Sequence, residues 1–273
     1  MRIFLITPLL LVLSGPALAG DGTEALLDAL AIDEVAAIMG EEGLGYGRQL
    51  EEDLFPGRGG AAWAREVADI YAPDRFLPEF RKVFGRTLAA DGGDVAAMTA
   101  FFTSDTGRKT VALELSARRA FLDDSVAEAS KLKVEEMRAE DDPRLAAVEA
   151  FIEAGDLIEA NVSSGLNASL SFYRGLAEAG AVPGGMAEDE LLASVWSQEA
   201  DIRSESTDWL YSYLTMAYAP LSDEELRAYI AFSASEAGQD LNRALLAGFD
   251  AAFQSISRDL GKAAGARIAG QDL

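Results

Sequence analysis

The chain contains no cysteine and no histidine. Without cysteine there are no disulfides, no thiolate metal ligands and no thiol nucleophile. Without histidine there is no Ser-His-Asp triad, no paired-histidine zinc site and no imidazole proton shuttle. Acid–base chemistry falls to carboxylates, Lys or Tyr. Positive charge is also scarce: 23 Lys and Arg stand against 46 Asp and Glu, a formal net charge of −23. A surface this negative repels phosphate backbones and anionic lipid, which argues against nucleic acid and against membrane-surface binding. It favours solubility and cationic partners. Runs of Val, Ile and Thr in strict alternation are missing, so nothing argues for strands. No DxDxDG calcium loop occurs. The sequence therefore assigns no catalytic residue, no cofactor and no metal ligand.

What is present begins with MRIFLITPLLLVLSGPALAG. One positive residue, Arg2, precedes an apolar run from Ile3 to Leu13, followed by Gly15, Pro16 and the small-x-small triplet Ala17, Leu18, Ala19. This pattern is expected of a secretory signal peptide over 1–19, cleaved between Ala19 and Gly20. The run is well short of the roughly 20 residues that span a bilayer. No later segment is apolar enough to cross one, so the expectation is a periplasmic or secreted protein with no integral membrane segment after cleavage.

The rest is rich in Ala, Leu and Glu, the better helix formers. Leu26, Leu27, Leu30, Val35, Ile38 and Met39 fall near helical spacing. Breaks are expected at GEEGLGYG (40–47), FPGRGG (55–60), YAP (71–73), ADGGD (90–94), EDDP (140–143), GAVPGG (180–185) and YAPLSD (218–223). Pro73 and Pro143 suit first helical turns, and Ser222 with Glu225 reads as a capping box.

Two stretches resemble each other. At a constant offset of 131, Ala97, Ala100, Phe101, Ser104, Asp105 and Gly107 meet Ala228, Ala231, Phe232, Ser235, Glu236 and Gly238. Upstream, WAREVADI from Trp63 resembles WSQEADI from Trp196, and more weakly Gly43-Leu44 resembles Gly165-Leu166. The anchors keep their order, which points to an internal duplication. The expected fold class is all-α: two similar antiparallel multi-helix units, 20–139 and 140–273, divided near Pro143. Each closes with a short helix, a Ser-x-x-Gly corner and a longer helix, roughly 105–138 and 235–262.

Phe101, Phe102, Ser104, Gly107, Arg108 and Lys109, with Phe232, Ser235, Gly238 and Gln239, carry a resemblance to the exported bacterial family catalogued as domain of unknown function 2059. ALLDALAIDEVAAIMG, from Ala25, echoes the leucine-rich opening of that family. The resemblance implies an all-helical, exported fold with no established activity, and two copies of the unit. The second copy departs from the pattern, with Ser233 where a paired aromatic is expected.

Three constellations carry potential chemistry. TSDTGRKT (103–110) has phosphate-loop ingredients but lacks the glycine spacing and the preceding strand. The second copy keeps Ser235 and Gly238 yet replaces Arg108 and Lys109 with Gln239 and Asp240, so the reading is a capped helix corner. Glu66 with Asp69, and Glu199 with Asp201, are candidate acid pairs for a carboxylate-dependent cell-envelope hydrolase or a cation. Trp63, Phe76, Trp196, Trp209 and Tyr213 are candidate groove aromatics for an exported protein or peptide, or a small apolar ligand. Arg118, Arg119, Lys131 and Lys133 are read as helical partners of Glu128, Glu135 and Glu136. The function expected is non-catalytic: a binding or chaperone-like module, with the hydrolase or an apolar-ligand carrier as alternatives.

Overall fold

The computed structural model describes residues 19–181 and 187–270. The expected signal peptide, and most of the expected break at 180–185, lie outside them. The described residues are all-α, with no strand among them. In chain order the helices are α1 (Ala19–Ala29), α2 (Ile32–Leu54), α3 (Gly60–Ile70), α4 (Pro73–Ala90), α5 (Val95–Phe102), α6 (Asp105–Ala120) and α7 (Asp124–Ala139). Then come α8 (Pro143–Ala154), α9 (Leu157–Glu178), α10 (Glu188–Trp196), α11 (Glu199–Tyr218), α12 (Asp223–Ser233) and α13 (Glu236–Ile268). None is long and apolar enough to cross a membrane.

Local chemistry sets most boundaries. Pro73 and Pro143 open α4 and α8, where the missing N–H costs nothing. Asp94 caps α5 by accepting from the Ala97 amide. Ser222 and Glu225 form a reciprocal capping box on α12.

Two expected boundaries are corrected. GEEGLGYG does not break the chain, because α2 runs through it. Gly43 and Gly47 are buried there, and a Cβ on either would collide with the Tyr71 ring or with Val67. These glycines make a flat helix face on which α3 and Tyr71 close, and the Trp63 indole N–H donates to the Gly47 carbonyl at 2.6 Å. The expected helix over 105–138 is divided into α6 and α7 at Phe121–Asp123. Phe121 turns inward against Trp209 and Tyr213, and Asp123 starts α7 by accepting from the Ser125 amide.

The core is one apolar cluster running from Leu26 to Ala264, so residues of both expected units share it. Helix α13 is its spine, lying along α9 and α4. Cβ atoms on Gly175 and Gly261 would strike the facing helix backbone, so α9 and α13 meet main chain to main chain. On the α4 side Phe80 packs on Phe249, ring centroids 4.5 Å apart. Helix α7 is the exception. It is held through Val134 and Met137 on Leu145, with Tyr211 alongside, in a small separate cluster.

Candidate functional site

The two Ser-x-x-Gly corners are built alike. Ser104 Oγ accepts from the Gly107 amide at 3.1 Å, and Ser235 Oγ from the Gly238 amide at 3.1 Å. Each serine hydroxyl donates back to a carbonyl three residues earlier, Phe101 or Phe232. Glycine is required at the fourth position because a Cβ there would collide with that same carbonyl. The corners also meet: the Phe101 and Phe232 rings stack at 4.4 Å with an interplanar angle of 13°. Lys109 crosses the seam to Glu225 at 2.7 Å. Its ammonium, with the Ser222 amide, holds the Glu225 carboxyl down at about 2. Arg108 is engaged by the Thr103 carbonyl and by Asp105. Neither cation is left to form an anion cradle.

Beneath the stack lies a buried polar centre that local sequence pattern does not signal. Glu114, on α6, is 8% exposed. One of its carboxylate oxygens accepts from Tyr218 Oη at 2.7 Å and from Tyr229 Oη at 3.2 Å. Its backbone carbonyl accepts from Tyr213 Oη at 3.0 Å. No ion pair reaches it among the described residues. Burial lifts the Glu114 carboxyl to about 8, against the opposing pull of the two tyrosine hydrogen bonds. Burial likewise pushes Tyr213, Tyr218 and Tyr229 well above the usual phenol range. One turn along, Arg118 makes two 2.8 Å hydrogen bonds to Glu42 of α2, and both side chains are largely buried. This corrects the expectation that Arg118 serves a neighbour on its own helix. Lys131 similarly reaches Asp208 of α11, whereas Lys133 does bond Glu136.

The other candidates fall in separate places. Trp63, Phe76 and Tyr213 are 1%, 2% and 4% exposed and belong to the core. Arg267 lies over the Trp63 ring at 4.8 Å. Trp209 is half-buried and stacks on Tyr213 at 4.6 Å. Trp196, at the end of α10, is 64% exposed. Glu66 is bound by Arg267 at 2.6 Å and Glu199 by Arg203 at 2.7 Å, while Asp69 and Asp201 are exposed. Among the described residues no group of three or more acids is placed to hold a metal ion. What the arrangement does chemically is hold a carboxyl on tyrosine hydroxyls inside an aromatic seam, where burial favours its neutral form.

Fold and site together define a helical protein whose two capped corners close over a protonatable carboxyl. Residues 74–135 match the model of a family described as an uncharacterized protein conserved in bacteria, DUF2059. The matched segment runs from α4 into α7 and contains the first corner, Glu114 and Arg118; the second corner lies outside it. The resemblance drawn from Phe101, Ser104 and Gly107 is thus shown for this segment. No curated protein matches the chain, and no solved structure does.

Proposed function

We propose that this is an exported, non-catalytic binding protein of the bacterial cell envelope. Its partner is a cationic segment of an exported protein or peptide anchored by an apolar side chain, either docked or sheltered in chaperone-like fashion. The observation carrying this reading is Trp196. An indole 64% exposed is of the side-chain type most enriched among interface anchors. The acids Asp189 and Glu190 on the same short helix, and Asp201 just beyond it, are exposed, while Glu188 pairs with Arg174. Together with a net charge of −23 they select positive partners. The hydrolase alternative gains no support, because Glu66 and Glu199 are each neutralised by an arginine.

The test is calorimetric titration with an amphipathic peptide of alternating Lys and Leu, against a Glu and Leu control. The Lys peptide should bind saturably and more weakly as salt rises, and the Glu peptide should not bind. Trp196→Ala should weaken binding at least about tenfold, the effect of losing one aromatic anchor, with helical circular dichroism unchanged. Equal affinity for both peptides, or for wild type and Trp196→Ala, contradicts the proposal.

A further inference from the structure

We propose that Glu114 is a proton-controlled latch on α12: the seam between the corners closes around its neutral carboxyl and loosens when that carboxyl ionises. The geometry carries the inference. Glu114 projects from α6 into the place where α11 and α12 converge. Facing it from α11 are Tyr213 and Tyr218, and from α12 Tyr229. From α8 comes the ring of Phe151, centred 5.4 Å from Tyr218 and 4.9 Å from Tyr229, and Arg144 of the same helix donates to the Tyr218 and Leu221 carbonyls and pairs with Asp223. The neighbouring charges are Arg118 of α6 and Glu42 of α2, and these two are spent on each other. An ionised Glu114 therefore sits buried with two phenol donors and no counter-charge, an arrangement that proteins relieve by admitting water or moving an element.

The element this latch would release is α12. It is short, Glu224 is exposed on its outer face while Asp223 pairs with Arg144 of α8, and turns of a few residues flank it on both sides. Its inner face is held by Tyr229 on Glu114 and Phe151, by Leu226 in the main core, by Phe232 on Phe101, and by Glu225 with Lys109. Opening it would bare the buried Tyr229 and widen the exposure of Phe101 and Phe232, which are partly buried in the closed form.

The sign follows from proton binding. In the closed form Glu114 keeps its proton up to about 8, and once opened it returns towards 4.5. The closed form holds more protons between those limits, so closure weakens as pH rises through them.

Amide hydrogen exchange between pH 5 and pH 8, expressed as protection factors, tests this. For α12 amides protection should fall by about a hundredfold across that range, and in Glu114→Gln it should stay nearly flat. Tyr229→Phe removes one donor to the ionised carboxylate and raises the pH at which the closed form loses its proton, so its fall should begin where that of wild type begins but continue beyond pH 8, where that of wild type levels off. Core amides of α4 should not follow. The proposal is overturned by the same pH dependence in wild type and Glu114→Gln. A fall shared equally by α4, which would signal general charge repulsion, overturns it as well. If Glu114→Gln does not fold, a fall in Tyr229→Phe that levels off at the same pH as in wild type, followed to above pH 9, is itself decisive against the latch.

Discussion

At the scale of single residues, the corners were readable because a cap is a local device. Ser104 and Gly107, like Ser235 and Gly238, are three positions apart, and their hydrogen bonds close within one turn. Glu114 was not readable, because its partners Tyr218 and Tyr229 lie 104 and 115 positions away. In sequence it is one acid among 46 acidic residues, and only tertiary burial sets it apart. The same distinction orders the expected effects of substitution. Gly107→Ala and Gly238→Ala each push a methyl into a carbonyl three residues before the cap, and should destabilise by about 2–3 kcal/mol. Arg108→Ala touches only exposed partners and should stay within about 0.5 kcal/mol. Urea unfolding of the three variants checks this ordering, and a neutral Gly107→Ala would show that the corner is looser than described.

Among the elements, helix starts were legible and helix continuity was less so. Pro73, Pro143 and the Ser222 box fix φ or satisfy amides locally, and helices begin where they stand. The glycines of GEEGLGYG look like breakers in isolation, yet Tyr71 and Val67 need the space, so α2 continues. Conversely the only local mark of the break after Phe121 is the Asp123 cap, one acid among many in this chain, and the turn there also depends on Trp209 and Tyr213 from another helix. The small separate cluster of Val134, Met137 and Leu145 gives α7 the least apolar anchorage in this region. Native-state hydrogen exchange should therefore find α7 opening before α4 and α13, whose contacts belong to the main core. Equal protection in α7 and α13 would contradict that ranking.

Across the whole molecule, the all-α class was legible from composition and spacing, and the shared core was not. The expected boundary near Pro143 coincides with the start of α8, while apolar packing runs past it from α4 to α13 and from α6 to α11. The duplication remains our reading. The matched hydrogen bonds of the two corners and the stacking of Phe101 on Phe232 support it. The tryptophan anchors do not, since Trp63 is in the first turn of α3 and buried, whereas Trp196 ends α10 in solvent. That divergence is informative for function. One tryptophan serves the core, and the other is left exposed on a strongly acidic molecule.

The most direct measurement of the central claim is a nitrogen–proton spectrum of the three indole groups during titration with the Lys and Leu peptide. The resonance absent from Trp196→Ala belongs to Trp196. The account predicts that this signal moves saturably with peptide and returns in high salt, while that of buried Trp63 stays in place. Peptide binding that leaves the Trp196 signal unmoved would contradict it.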